Sequence, residues 1–349
     1  METETFFNSV QALPKVDLHR HLEGSVSAET FISVARDFGG NLPVYEVEAL
    51  RDQVQVNTGP YDFRYFLSRF KIFREFYESP DAIRAVAYAA VKAAALDNVK
   101  YLELRFSPTH FAVRKKFAES DVIRWIQSSI EAAARDFQMI VVPVLTISRD
   151  FPPALAQQTL DLALSLRDRF FCGLDIAGDE RLSPAGPFQP IFNRAKKAGM
   201  GLTVHAGEAG GPENVKEAIL DLSADRIGHG IRAIEDRNVV DLLIHRNVLL
   251  EVCITSNIHT GVVENVSEHP VKIIREMGIP FCLGTDDPAM SSLTLSDEYC
   301  TAIKRLGFSI DDLQRMNLEA ISHAFYPDKN SLKIKFTSCR DNCYSGINP

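Results

Sequence analysis

His19 and His21 are separated by one residue, the spacing that in an extended strand sends two side chains off the same face. Two imidazoles pointing together invite a metal ion, although the pair alone reads equally well as surface histidines or as one buried, hydrogen-bonded histidine with a neighbour. Two further residues change that balance. His205 and Asp286 each end another apolar run, and three imidazoles with one carboxylate make a donor set without thiolate, which suits zinc, with iron, cobalt or nickel as substitutes. Glu208, three residues past His205, is near enough to reach the open side of such a metal, and a carboxyl in a dry pocket can stay protonated and act as an acid. His229, flanked by Gly228 and Gly230, is placed to orient or deprotonate a metal-activated water. Each has a plainer reading: Glu208 as a carboxylate ahead of a helix starting at Pro212, His229 as a buried hydrogen-bonded histidine, and Asp286-Asp287 as a capping turn before Pro288. It is their combination with the other histidines that favours chemistry.

Residues so far apart in sequence meet only if the elements bearing them converge. Runs rich in Val, Ile, Leu and Phe predict strands over Lys15–His21, Lys100–Ser107, Met139–Ser148, Cys172–Ala177, Gly201–His205, Arg226–His229, Leu249–Thr255 and Pro280–Asp286. Between them, apolar residues return at helical spacing over Asp121–Asp136, Ala154–Asp168, Phe188–Ala198, Pro212–Leu222, Asp236–His245 and Pro270–Met277. Gly199 and Gly278 each follow a helical run, as helix-ending glycines do. Near-continuous apolar strands alternating with helices imply a parallel sheet covered on both faces, and eight of them imply a closed (β/α)8 TIM barrel of the α/β class. In that fold the carboxyl ends of the strands form the active site, which is where the histidines and carboxylates stand. Binuclear barrel hydrolases often use a modified lysine on the fourth strand; Asp175-Ile176-Ala177-Gly178 offers none, so one metal is expected.

The chain is expected to form one domain over residues 1–349, with a helical lid inserted over 28–98 and a C-terminal tail over 330–349. In the insertion, Tyr61, Phe63, Tyr65, Phe66, Phe70, Phe73, Phe76 and Tyr77 read either as core packing at helical spacing or as an apolar ceiling over a pocket. With 46% apolar residues the 349-residue chain can bury a large core. A net charge of -8 with scattered Lys and Arg argues against a nucleic-acid partner and for a small molecule. Neither a signal-like start nor a membrane-length apolar run is present, so a cytoplasmic protein without a membrane partner is expected. The cysteines agree: Cys172, Cys253 and Cys282 lie in apolar runs as reduced thiols, and Cys339 and Cys343 lack a second Cys or His pair to complete a metal site.

Seven segments, in order, resemble the adenosine deaminase family of the bacterial kind. They are Pro14–Gly24 (PKVDLHRHLEG), Glu103–Pro108 (ELRFSP), Asp175–Glu180 (DIAGDE), Thr203–Glu208 (TVHAGE), Arg226–Gly230 (RIGHG), Thr255–Asn257 (TSN) and Thr285–Pro288 (TDDP). The nucleobase-deaminase signature, H-x-E followed by P-C-x-x-C, is absent, since His21-Leu22-Glu23 has no such cysteine pair downstream. The resemblance implies hydrolysis of adenosine and 2'-deoxyadenosine at purine C6 to the inosine product and ammonia. It implies one Zn2+ per subunit on His19, His21, His205 and Asp286. Glu208 would then protonate ring N1, His229 would orient the water and accept its proton, Asp287 would meet N7, and the Gly178 N–H would meet N3; His21 and Glu23 would also face the substrate.

One departure bears on the substrate. Adenosine deaminases carry Asp where this chain has Glu23, and there it reaches the ribose 5'-hydroxyl. Relatives with Glu include adenine deaminases and enzymes acting on 5'-modified adenine nucleosides, so both stand as alternatives behind adenosine. A reading of another class, a non-catalytic binding protein on the same barrel, predicts a lost metal ligand or a lost Glu208; the chain keeps them all.

Overall fold

The computed structural model describes residues 2–56, 62–75, 77–166 and 170–344. Eight strands lie in sequence order: β1 (Lys15–His21), β2 (Val99–Phe106), β3 (Ile140–Ser148), β4 (Gly173–Ala177), β5 (Gly201–Ala206), β6 (Arg226–His229), β7 (Leu249–Val252) and β8 (Phe281–Leu283). Each neighbouring pair is parallel. The ring closes just past β8, where Asp286 donates its N–H to the His19 carbonyl at 2.8 Å and accepts the His21 N–H at 2.9 Å. This is the expected (β/α)8 barrel.

Helices cover the outside with their apolar stripes. The helix Glu119–Asp136 buries Val122, Ile123, Ile126, Ile130 and Ala133, a spacing of three and four that puts them on one face. Gly199 and Gly278, at φ 81° and 71°, end their helices in the left-handed conformation that glycine adopts without strain. Two strand boundaries differ from expectation. The run 249–255 stops at Val252 and turns into a short helix, Ile254–His259, because the buried Glu298 carboxylate accepts the N–H groups of Ile254 and Thr255 and starts a helical turn. The run 280–286 stops at Leu283, and Asp286 adopts φ 57°, which takes it out of extended geometry.

Between β1 and β2 come four helices, Ala28–Phe38, Val47–Val54, Phe63–Glu75 and Pro80–Leu96. Their aromatic residues divide between the two expected uses. Phe73 packs on Phe31 and Tyr77 stacks on Phe111 at 4.0 Å, whereas Phe63, Phe66 and Phe70 line a cavity at the barrel mouth. Tyr61 and Phe76 lie outside the described residues. The C-terminal stretch is more ordered than a tail: a helix spans Lys329–Tyr344 and buries Leu332 and Phe336, one turn apart. Cys253, Cys282 and Cys300 are buried free thiols and Cys172 is a partly buried one; the side chains of Cys339 and Cys343 lie outside the described residues. No helix among the described residues is long and apolar enough to cross a membrane.

Candidate active site

Below the mouth, the barrel is filled by charge rather than by aliphatic side chains. Arg226 pairs with Glu251 at 2.7 Å and with Glu103, while Arg105 donates to the other Glu251 oxygen at 2.7 Å and lies 3.4 Å from Asp175, all fully buried. Burial would raise the Glu251 and Asp175 carboxyls, but the arginines outweigh it for Glu251, as His205 and then Arg105 do for Asp175, so both stay ionised. An ionised carboxylate can only accept. Glu251 lies 2.8 Å from His19 Nδ1 and Asp175 lies 2.9 Å from His205 Nδ1, so each imidazole donates from Nδ1 and, in its neutral form, turns a lone pair on Nε2 toward the mouth.

Those lone pairs meet others. His21 Nε2 lies 3.2 Å from His205 Nε2, and Asp286 Oδ1 lies 3.3 Å from both His19 Nε2 and His21 Nε2. Ser256 donates to the remaining Asp286 oxygen at 2.6 Å and leaves Oδ1 facing the histidines. His229 joins the cluster: His19, His205, His229 and Asp286 each offer an atom within 4.8 Å of the others. Gly228 makes the crowding possible, since a Cβ there would sit 3.1 Å from His19 Cε1 and 3.2 Å from His205 Cγ. Among the described residues His19 Nε2 has no hydrogen-bond partner although it is fully buried. An orphaned lone pair inside a ring of nitrogen and oxygen donors fits a resident cation.

A second network sets the groups beside this cluster. The Val271 N–H donates to His269 Nδ1, so His269 Nε2 holds that ring's proton and faces Asn257 Oδ1 at 3.3 Å. The Asn257 amide then donates to His229 Nδ1 at 3.1 Å and to Glu208 Oε1 at 3.3 Å, and a neutral His229 keeps its proton on Nε2. Glu208 Oε2 lies 3.5 Å from that nitrogen. Burial, then the carboxylates of Asp286 and Glu180, push the Glu208 carboxyl well above its usual range, which favours its protonated form. Its loop is shaped by Glu180, whose carboxylate accepts the N–H groups of Gly207, Glu208 and Gly210 at 2.7–2.9 Å.

Residues 14–337 match the family model described as adenosine deaminase. The chain belongs to that family. Among curated relatives, the adenosine deaminase of Yersinia enterocolitica is 37% identical over 93% of this chain and 97% of its own length. Among solved structures, an adenine deaminase from Arthrobacter aurescens superposes with a TM-score of 0.86 at 25% identity, covering 96% of this chain and 99% of that one. An amidohydrolase from Burkholderia ambifaria with bound zinc superposes equally well, with a TM-score of 0.86 at 25% identity over 97% of this chain and 94% of that one. As a member of the adenosine deaminase family the chain is a metal-dependent hydrolase acting on cyclic amidines.

Every residue singled out in the sequence lies in this region. His21, Glu23, Gly178, His205, Glu208, His229, Asp286 and Asp287 line one cavity, under Phe63, Phe66 and Phe70, and His19 lies fully buried among the cluster's donors. Gly178 takes φ 113°, open to glycine and costly for other residues. Burial, then Asp286, Glu23 and Glu208, push the Asp287 carboxyl up, and its Oδ1 has no partner among the described residues. Several supporting residues carry no role from sequence reasoning: Glu251, Ser256, Asn257, Thr260 and Glu298. Asn257 and Ser256 sit inside the quoted TSN segment, but a strand drawn as far as Thr255 hid a helix whose side chains reach Asp286, His229 and Glu208. Glu251 reads as a polar interruption of an apolar run, and such a charge inside a barrel strand is itself a signal.

Proposed function

We propose that this protein converts adenosine and 2'-deoxyadenosine to their inosine products and ammonia, with one zinc ion on His19, His21, His205 and Asp286. The observation that carries the reading is Glu208, its carboxyl pushed up by burial, beside the cluster of histidines and Asp286 in one cavity. The hydrogen-bond order separates His229 from the metal set: with Nδ1 occupied by Asn257, its cavity-facing nitrogen bears a proton and has no lone pair to give. Zinc, when bound, acidifies water and so supplies hydroxide at neutral pH.

The side chains provide the rest. Glu208 donates its proton to ring N1, which draws electrons from C6 and opens that carbon to hydroxide; the hydroxyl added at C6 then gives its proton to the exocyclic amine, the C6–N6 bond breaks, the amine leaves as ammonia and C6 keeps the oxygen as a carbonyl. Ring N7 is an acceptor, and the Asp287 carboxyl, pushed up by burial and by its acidic neighbours, can donate to it in its protonated form. Gly178 lets its backbone N–H approach N3. The proton on His229 Nε2 supports the orienting part of its role over proton acceptance, since a nitrogen already protonated directs a lone pair of the attacking oxygen. The four helices over 28–98 act as the lid, their Phe63, Phe66 and Phe70 excluding water from the purine.

Between the alternatives, the cavity wall favours an uncharged nucleoside. Its carboxyls are Glu23, Asp150, Glu208, Asp286 and Asp287, and among the described residues it holds no Lys or Arg to pair with a 5'-phosphate. The test is the ultraviolet change of zinc-loaded protein with adenosine, 2'-deoxyadenosine, adenine and adenosine 5'-monophosphate. The two nucleosides should show the highest kcat/KM; preference for adenine or the monophosphate overturns the substrate, and inactivity on all four overturns the enzyme reading.

A further inference from the structure

The cavity also contains two buried polar atoms without a hydrogen-bond partner among the described residues. Glu23 is 4% exposed; its Oε1 accepts the Ser107 N–H at 3.0 Å, while its Oε2 is buried and has no partner among the described residues. His110 stands beside it, with Nδ1 3.8 Å from Glu23 Oε1, and its Nε2 is likewise buried without a partner. Both groups line the same cavity as Glu208 and Asp286.

Their placement is built rather than incidental. Ser107 follows β2 directly and caps the short helix Pro108–Ala112, the His110 N–H donates to the Ser107 carbonyl at 3.0 Å, and the Ser107 N–H holds Glu23, so one helical turn sets the His110 backbone beside the Glu23 carboxylate. The His110 ring rests against Phe151, with centroids 5.6 Å apart. Buried polar atoms without partners are disfavoured unless something else completes them. The missing partner must offer donors to a carboxylate oxygen and a polar contact to an imidazole nitrogen, without bringing negative charge to Glu23. Hydroxyl groups meet both demands because each can donate and accept. A phosphate can accept from the imidazole but brings negative charge, and no donor, to Glu23.

We propose that His110 is a specificity-determining residue, which with Glu23 binds the hydroxyl groups of the sugar, so that the site selects a nucleoside over the free base. The inference rests on the nucleoside reading given above and adds a residue to it. A free base leaves Glu23 Oε2 and His110 Nε2 unpaired in the dry site, whereas a ribosyl group satisfies both. Sites that hydrogen-bond a substrate hydroxyl reject analogues lacking it far more strongly than apolar pockets do.

The experiment compares wild type with His110→Phe, which keeps an aromatic ring against Phe151 but cannot hydrogen-bond, and with His110→Asn, which keeps a polar group. Calorimetric binding of inosine and hypoxanthine is measured beside kcat/KM for adenosine and its 2'-, 3'- and 5'-deoxy forms. Wild type should bind inosine about 10- to 100-fold more tightly than hypoxanthine, and His110→Phe should bring that ratio to within about 3-fold while hypoxanthine binding stays unchanged. At least one deoxy analogue should be as good a substrate as adenosine for His110→Phe but not for wild type, with His110→Asn in between. An inosine-to-hypoxanthine ratio that His110→Phe leaves intact, or an equal loss for every ligand, overturns the role of His110. Binding that follows the prediction in a protein that deaminates no nucleoside overturns the reaction and leaves the sugar contact standing.

Discussion

The two ends of the cavity are built on different terms. At the inner end, the groups assigned to the chemistry are held from behind: His19 by Glu251, His205 by Asp175, Asp286 by Ser256, and His229 and Glu208 by Asn257. At the outer end, Glu23 has one backbone donor and His110 only its approach to Glu23 and a ring contact. Chemistry needs reacting groups fixed before the substrate arrives, because reorganisation during the reaction adds to the barrier. Recognition can leave atoms open for the ligand to complete. The difference shows which end should tolerate change.

Removing a group from the inner end should be the more costly. Asp286→Ala deletes the carboxylate shared by His19 and His21, and metal content by mass spectrometry should drop from about one per chain to near none, with turnover at background. An Asp286→Ala protein that keeps its metal would break the assignment. Next, Glu208→Gln should retain metal yet lose about 10²- to 10⁴-fold in kcat, since the acid is gone and the ligands are untouched. Asn257→Ala acts one step further back. It should cost about 10- to 100-fold in kcat with little change in KM, and a loss confined to KM would mean the amide serves binding instead.

The smallest effect on turnover is expected from Glu298→Gln, whose side chain caps the helix carrying Ser256 and Asn257 from behind. Burial raises the Glu298 carboxyl from 4.5 to about 7. The unfolded chain therefore ionises first as pH rises, and the folded state loses about 1.4 kcal/mol per pH unit between those values, about 3 kcal/mol in all, levelling off above pH 7. The stability gained from this group is complete below pH 4.5 and gone once pH has risen through 7. Denaturant titrations at pH 5 and pH 8 should show that decline in wild type and a flatter one in Glu298→Gln; equal slopes would show that the carboxyl does not titrate in this window.

The inner end was also the more legible in sequence. A His-x-His pair ending an apolar run and a histidine or aspartate ending others are local patterns, and the barrel turns strand ends into neighbours without any knowledge of contacts. The supports were not legible in the same way. Glu251 reaches His19 across 232 residues and Glu298 reaches Ile254 across 44, and neither pairing leaves a periodic trace. The strand bounds failed where such a pairing intervened: Ile254 and Thr255 have the β-branched character of a strand, but a carboxylate from another helix captured their N–H groups. His110 escaped notice because a lone histidine in a five-residue helix has no spacing to announce it.

The seam of the barrel ties the site to the history of the chain. Asp286 is both a proposed ligand and the backbone clasp between the first strand and the last, and beside it Arg20 bonds Thr285 across 265 residues. A nascent chain still lacking β8 can present His19 and His21, but not the fourth ligand. Full coordination by the proposed ligand set thus requires the closed ring.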